Sequence, residues 1–186
     1  ALFDTAHALG ARTVVSAGLF GAVGANPASA NEAAFHAMAA LANRIGAAAK
    51  QAGLSFALHN HNMEFRRFGG VTGYDMLLAE TDPALVGFEL DCGWAAVAGY
   101  EPAALLKAHP GRFSLLHIKD FQRPLRPRTA PGGPPGAILG TGFIDYRPVF
   151  AAAKGVRHYF VEQEPPYRAF TSLDAARQDY AYLHSL

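Results

Sequence analysis

The feature that most constrains the fold is a set of four short apolar runs, each of which ends in imidazole or carboxyl side chains. Acidic and imidazole groups are costly to bury unless they are paired or bound to a metal. They recur at the carboxyl tips of strand-like segments, with helix-like segments between, which predicts parallel strands that bring side chains to one mouth. The four runs are Leu54–His61, Val86–Asp91, Phe113–Asp120 and Tyr159–Glu164.

Strand-like and helix-like segments alternate five times along the chain, which favours an α/β fold with a parallel sheet and helices outside it. Doubly wound sheets and barrels both fit this alternation. The strand tips rich in ligands favour the barrel, because its functional sites lie at that face. A complete (β/α)8 TIM barrel usually needs about 250 residues. We therefore expect one domain over residues 1–186 that is N-terminally incomplete and holds the C-terminal five βα units of such a barrel.

Breaker residues and apolar runs set the limits of the predicted elements. Gly53 ends a long Ala-rich helix, and Pro83 ends the next one because the residue before a proline avoids the helical region. Ser172 is a typical N-cap for the last helix. Arg12–Ser16 is the fifth predicted strand, and Arg123–Gly142 is predicted to be a long loop. The predicted helices are Leu2–Leu9, Asn31–Gln51, Tyr74–Glu80, Pro102–Ala108, Tyr146–Ala153 and one from Ser172 onwards.

Composition and charge indicate a globular domain and argue against two classes of partner. The chain is 51% hydrophobic and 17% charged with a formal net charge of +1, so it lacks the basic field that nucleic-acid binding needs. Cys92 is the only cysteine, which excludes an intrachain disulfide. No apolar run reaches the roughly 18 residues of a transmembrane helix, and no signal-peptide pattern is visible. We expect no membrane partner and a cytoplasmic protein, with a processed secreted form as the alternative.

Side chains on a strand alternate between its two faces, so residues two apart point the same way. If the four tips share one mouth, they bring imidazoles, carboxylates and a lysine together. Mixed histidine and carboxylate ligation suits a divalent transition metal, and manganese, zinc, cobalt and iron all fit. The pairs that share a face are His59 with His61, Glu89 with Asp91, His117 with Lys119, and Glu162 with Glu164.

Five motifs in order resemble the sugar phosphate isomerase/epimerase family of the xylose isomerase-like TIM-barrel superfamily. They are HNHNMEF, TDPALVGFELDCGW, LLHIKDF, LGTGFIDY and VEQEPP, and the similarity runs from about Ala8 to the C-terminus. The resemblance implies an enzyme of carbohydrate metabolism whose metal is held by one residue from each of the last four strands. Matched strand by strand, this implies His59, Asp91, His117 and Glu162 as the metal ligands.

His59 departs from the family pattern, because many epimerases of the superfamily carry a glutamate at that position. A subgroup with an HNH motif is more similar to this chain. The histidine weakens the case for an epimerase that shuttles a proton between two glutamates.

The chemistry expected of such a site is proton abstraction from a sugar, keto-sugar or cyclitol through a metal-stabilised enediolate. A positioned carboxylate or imidazole moves the proton, and Glu162, Glu89 and His61 are the candidates. Lys119 is expected to neutralise the enediolate or to donate a proton. The residues expected to bind substrate are His61, Glu64, Trp94 and Glu164.

Several of these residues also have a structural interpretation. Glu89 or Asp91 could simply pair with lysine or arginine, and Lys119 could form an ion pair with its neighbour Asp120. Trp94 could be core packing, and Glu64 could cap its own loop. Gly140-Thr141-Gly142 is interpreted as a place where the backbone approaches a ligand closely.

Three alternative functions stay open at this stage. A dehydratase or lyase acting on a keto-sugar or inosose uses closely related chemistry, because a β-hydroxyl can leave after the same proton abstraction. An apurinic-type endonuclease shares the superfamily but needs a basic footprint, which this chain lacks. A sugar-binding fragment without activity is the third alternative. Sheet edges that nothing covers would invite self-association, which leaves a homo-oligomer open.

Overall fold

The computed structural model describes residues 2–164 and 171–186. The chain divides into two compact units. The first unit runs to Glu89 and also includes Thr129–Pro131, and the second consists of Leu90–Arg128 and Gly132–Leu186. None of the helices in the described ranges is long and apolar enough to cross a membrane.

The first unit carries three parallel strands, and helices separate them along the chain. Residues 21–23 and 63–65 form single 3₁₀ turns. Its elements are α1 (Leu2–Ala8), β1 (Thr13–Ser16), α2 (Glu32–Gln51), β2 (Ser55–His59), β3 (Arg67–Phe68), β4 (Val71–Thr72), α3 (Gly73–Glu80) and the first four residues of β5 (Val86–Asp91).

The register of these strands follows from their buried apolar side chains. β2 lies between β1 and β5, with Thr13 opposite Ser55 and Phe56 opposite Val86. Four of the five residues of β2 are buried, as expected for a strand in a parallel sheet. Gly46 of α2 packs so closely on the Leu85 carbonyl that a Cβ would overlap it. The Ala-rich composition of α2 therefore permits close packing of the helix.

The second unit begins with Leu90 and Asp91, the last residues of β5. Its strands β6 and β9 are parallel with His117 opposite Phe160, and β7 and β8 form an antiparallel pair. The further elements are α4 (Cys92–Val97), α5 (Pro102–Ala108), β6 (Phe113–Ile118), β7 (Asp120–Phe121), β8 (Gly136–Ala137), α6 (Tyr146–Ala152), β9 (His158–Val161) and α7 (Ser172–His184).

All five predicted strands are present, but three of the ligand-rich runs extend past the ends of the strands that they contain. β2 ends at His59 and β9 ends at Val161, so His61 and Glu162 lie just past the strand ends. The chain turns after His59, whereas the Glu162 backbone N–H still donates to the Ile118 carbonyl at 3.1 Å, just beyond the end of β9. The run Phe113–Asp120 is likewise interrupted at Lys119, between β6 and β7.

The predicted helices are also present, with small corrections at their ends. The N-cap of α7 is Thr171 and not Ser172, because the Thr171 side chain accepts the Asp174 N–H and Asp174 accepts in return from Thr171. Helix α4 was not predicted, and neither were the short antiparallel pairs β3–β4 and β7–β8. The last two prolines of the VEQEPP motif lie outside the described residues.

Strand β9 is exposed along its whole length. Tyr159 and Phe160 each keep about half of their surface accessible, at 51%. Most parallel strands are buried on both faces. The self-association that the sequence leaves open is untested and stays a prediction.

Candidate metal centre

Three of the four predicted metal ligands lie together in the second unit. His117 Nδ1 is 3.7 Å from Asp91 Oδ2, and His117 Nε2 is 3.3 Å from Glu162 Oε2. The Asp91 side chain is fully buried, and that of His117 is mostly buried. Each nitrogen of one imidazole ring therefore faces a carboxylate that follows or ends a different strand, which is a donor set suited to a divalent metal.

Asp91 is held in place by the helix that follows it. Its Oδ1 accepts the Trp94 backbone N–H at 2.7 Å and so caps the N-terminus of α4, while Oδ2 faces His117. Gly93 is required beside it, because a Cβ there would overlap the Lys119 side chain. An aspartate directly before a short apolar segment is an N-cap signal, and this signal could have revealed α4 from the sequence.

Lys119 lies at the centre of an ion-pair cluster. Its Nζ is 2.5 Å from Glu162 Oε2 and 2.7 Å from Glu164 Oε1, and the residue is only 4% exposed. Burial alone would lower the pKa of Lys119, but the hydrogen bonds to both glutamates and the charge of Asp91 raise it above its usual value. Lys119 is therefore a buried cation at neutral pH, and its partners are Glu162 and Glu164 and not Asp120.

Glu162 is shared between His117 and Lys119. Its side chain is 41% exposed. Partial burial would raise the pKa of Glu162, but the hydrogen bond and charge of Lys119 and the charge of His117 hold it below the usual value. Glu162 is thus an ionised carboxylate that stays accessible from outside.

Trp94 packs inside an aromatic cluster of the second unit. Its ring lies 4.7 Å from the Phe121 ring and over the Lys119 ammonium at 5.3 Å, and it is 8% exposed. A Cβ on Gly133 would overlap the indole. The packing interpretation of Trp94 therefore has direct support, and the contact with a sugar stays a prediction.

Asp120 organises the loop that carries the LGTGFIDY motif. Its Oδ2 accepts the N–H groups of Gly140 and Gly142 at 3.1 Å each, and its Oδ1 accepts those of Phe121, Phe143 and Ile144. A Cβ on Gly142 would overlap the carboxylate. Burial raises the pKa of Asp120, and the backbone hydrogen bonds oppose that shift.

The close packing of Gly140-Thr141-Gly142 therefore has an explanation within the protein, and its contact with a ligand stays a prediction. Gly142 approaches Asp120, and Gly140 approaches the Tyr182 ring so closely that a Cβ would overlap it. The Gly140 and Gly142 N–H groups are occupied by the carboxylate, so they do not form a cradle for a phosphate.

In the first unit, Glu89 is the partner of His59. The two residues are opposite each other in the β2–β5 register, and His59 Nδ1 is 2.9 Å from Glu89 Oε1. Both residues are buried. A metal-binding histidine usually has its second ring nitrogen fixed by a carboxylate in this way. Glu89 was predicted to be catalytic, and the structure places its carboxylate in a close contact with the His59 ring.

His61 and Glu64 form the turn after β2. The His61 ring lies edge-on to the His59 ring at 5.1 Å, and the His61 backbone N–H donates to Glu64 Oε2 at 2.9 Å. Burial raises the pKa of Glu64 to about 7, against the opposing effect of backbone hydrogen bonds and of His59. Glu64 therefore caps its own loop, which is one of its two predicted roles, and its contact with substrate stays a prediction.

Known proteins resemble this chain over much or all of its length. The family described as "Xylose isomerase-like TIM barrel" matches residues 1–186. An inosose dehydratase of Lactiplantibacillus plantarum is 34% identical over 117 residues, which cover 58% of this chain and 38% of that protein. An inosose dehydratase of Geobacillus thermodenitrificans is 28% identical over 137 residues, which cover 66% of this chain and 45% of that protein.

A solved structure also resembles this chain in its fold. The crystal structure of a sugar phosphate isomerase/epimerase from Parabacteroides distasonis has a TM-score of 0.81 at 28% identity. It is matched over 98% of this chain and 60% of its own length, so this chain spans only part of the relatives that it matches. The matches confirm the predicted TIM-barrel fold class and the predicted resemblance.

Proposed function

The chain belongs to the xylose isomerase-like TIM-barrel family, and on that premise we propose that it is a metal-dependent enzyme that isomerises or epimerises a sugar, keto-sugar or cyclitol. The observation that carries the proposal is an excess of negative charge in the cluster around His117 and Lys119. Three carboxylates (Asp91, Glu162 and Glu164) and one ammonium leave two formal negative charges there. A dication would neutralise this excess.

The residues that would hold the metal are Asp91, His117 and Glu162, with His59 as a fourth ligand. His59 is included because of the family resemblance and because its Nδ1 is fixed by Glu89, as in many metal-binding histidines. Manganese, zinc, cobalt and iron all suit such a donor set. A bound divalent ion would supply a Lewis acid that polarises the carbonyl of the substrate.

Lys119 is proposed to stabilise the negative charge that develops on the substrate oxygen. Its ammonium is buried and held cationic by Glu162 and Glu164, so it can act electrostatically on that charge from a position that is itself shielded from water. Glu164 keeps Lys119 paired when Glu162 is engaged elsewhere.

Glu162 is the carboxylate best suited to take the proton from carbon. It is ionised at neutral pH because Lys119 and His117 lower its pKa, and it is partly exposed. Glu89 is assigned to the orientation of His59. His61 and Glu164 are proposed to contact substrate, whereas Glu64 and Trp94 fix the surrounding backbone and rings.

Dehydration of a keto-sugar or inosose is the second candidate function. It is favoured by two curated relatives, which are inosose dehydratases at 34% and 28% identity. The same proton abstraction serves both reactions, and loss of a neighbouring hydroxyl then requires a proton donor. The Lys119 ammonium lies in the cluster and could donate that proton.

The experiment is a metal analysis followed by incubation of the metal-loaded protein with keto-sugars and inososes in heavy water. Isomerisation or epimerisation introduces deuterium at the carbon next to the carbonyl, and dehydration also releases an unsaturated product. Both are read by NMR and mass spectrometry. A protein that binds no divalent metal, or that exchanges no proton in any of these compounds, would contradict the proposal.

A further inference from the structure

The backbone N–H and carbonyl of Lys119, at the break between two strands of the second unit, are both hydrogen-bonded to one side chain. Strand β6 ends at Ile118 and β7 begins at Asp120, so Lys119 belongs to neither. The Lys119 N–H donates to the Tyr146 hydroxyl at 3.1 Å, and this hydroxyl donates to the Lys119 carbonyl at 2.7 Å. One hydroxyl can do both because it has one proton to donate and two lone pairs.

Tyr146 is itself held firmly. It is the first residue of α6, whose N-cap is Asp145, and its side chain is fully buried. Its ring packs on that of Phe150, with the centroids 6.0 Å apart. Burial, followed by the charges of neighbouring acidic groups, raises the pKa of Tyr146 well above its usual value, so the hydroxyl keeps its proton.

Asp120, the next residue in the chain, is held by its side chain and not by the Tyr146 hydroxyl. The Asp120 carboxylate accepts backbone N–H groups of the loop that leads into α6. The Lys119 backbone has Tyr146 as its hydrogen-bond partner on both its N–H and its carbonyl. A lysine side chain has a flexible four-carbon stem, so the position of its ammonium depends on a fixed backbone.

We infer that Tyr146 is a positioning residue for Lys119, because its hydroxyl clamps the Lys119 peptide and so keeps the ammonium between Glu162 and Glu164. The inference rests on the proposed function of Lys119, since its position matters to turnover only if Lys119 acts on the substrate. Tyr146 does not itself touch the ion-pair cluster through its hydroxyl, whose contacts are with the Lys119 backbone.

The first test does not depend on activity. The protein is treated with limiting acetic anhydride, and acetylation of Lys119 is compared by mass spectrometry with that of the exposed Lys50, Lys107 and Lys154. Tyr146→Phe removes both hydrogen bonds to the Lys119 peptide and should raise the relative rate at Lys119 by at least about fivefold, the change expected from the loss of one buried hydrogen bond. An unchanged rate would overturn the inference.

The matched control is Tyr74→Phe, which removes the hydroxyl of another buried tyrosine in the first unit. It should leave the acetylation of Lys119 unchanged. If it raises the rate as much as Tyr146→Phe does, a general loosening of the protein explains the effect and the inference fails.

A measurement on the unaltered protein guards against a variant that does not fold. In hydrogen-exchange NMR the Lys119 amide should exchange far more slowly than that of Gly155, which lies in an exposed turn. Exchange as fast as that of Gly155 would overturn the inference.

Turnover separates this inference from the proposed function. Tyr146→Phe should lower kcat with little change in KM or metal content, and should have no further effect in a Lys119→Ala background. If the unaltered protein turns over no sugar, the proposed function fails and the acetylation result alone decides the inference. If turnover is present and Tyr146→Phe keeps full kcat, the inference fails while the function stands.

Discussion

The two units each place a histidine against carboxylate, but in different ways. His59 has a close carboxylate partner in Glu89, at 2.9 Å, and both are buried. His117 lies between two carboxylates at 3.7 and 3.3 Å, next to the ion-paired Lys119. The first arrangement orients one ring, whereas the second collects more negative charge than its own lysine balances. The comparison teaches that histidine and carboxylate side chains can either orient a metal ligand or form a cluster whose excess negative charge favours cation binding.

The largest effect should come from His117→Ala, which removes the imidazole from the charged cluster. We expect divalent-metal affinity to fall by more than about 100-fold, beyond the range seen for residues that only support ligands, and turnover to fall with it. Equilibrium dialysis with metal analysis checks this, and circular dichroism checks the fold.

The matched control for His117 is His36→Ala, because His36 also pairs with a glutamate, Glu80, but at an exposed position. Its metal content should equal that of the unaltered protein. Retention of metal by His117→Ala at the level of this control would break the comparison between the two units.

The turn behind His59 gives a pH test of the first unit. Glu64 has a pKa of about 7 in the folded protein against 4.5 for the free side chain, so the folded state binds the proton more tightly. Its contribution to the free energy of unfolding is therefore largest below pH 4.5 and is lost as the pH rises to about 7. The loss is at most about 3 kcal/mol. Urea unfolding between pH 4.5 and 8 measures it.

Glu64→Gln provides the comparison for that titration. The amide does not ionise, so the difference in unfolding free energy between the two proteins should change with pH and level off above about pH 7. A difference that stays constant across this range would show that Glu64 titrates normally.

Glu89→Gln tests whether the first-unit pair serves a ligand. The amide weakens the hydrogen bond that orients His59, and loss of such support typically costs about 10–100-fold in metal affinity. Glu80→Gln is the control, because Glu80 makes the same kind of contact with His36 at the surface. Unchanged metal affinity in Glu89→Gln would remove His59 from the proposed ligand set.

The smallest expected effect is a gain. Lys119→Met removes the one ammonium that competes for Glu162, so the cluster becomes more negative. We expect divalent-metal affinity to rise by about tenfold, equal to about 1.4 kcal/mol, while turnover falls. Calorimetric titration with manganese or zinc measures the first effect. Weaker binding would mean that Lys119 supports the ligands and does not compete for them.

The sequence predicted where the strands lie, because a short apolar run that ends in polar side chains is easy to recognise. The positions of Asp91 and His117 at the ends of buried strands followed from that pattern. The pairing of Glu89 with His59 depends on the register between strands 30 residues apart in the chain, which the pattern does not specify. The sequence alternation therefore suggested a catalytic role for Glu89 without showing its partner.

Residues beyond the strand ends were harder to interpret. Asp120 was weighed as a partner of Lys119, yet it turns to the backbone of a loop 20 to 24 residues later. Two adjacent charged residues can pair or can point to opposite sides, and their order in the chain does not decide between these. The glycines of the same loop signalled close approach correctly, and the structure shows that they approach the side chains of Asp120 and Tyr182.

The carboxylate of Asp120 has a consequence for anyone who redesigns this protein. It accepts the backbone N–H groups of Gly140, Gly142 and Ile144, so these parts of the loop depend on one side chain. Residues of this loop therefore have to be exchanged as a set. A longer or shorter loop would leave several backbone N–H groups without the Asp120 carboxylate as acceptor and without water to replace it. Grafting new specificity onto this segment is therefore a poor strategy.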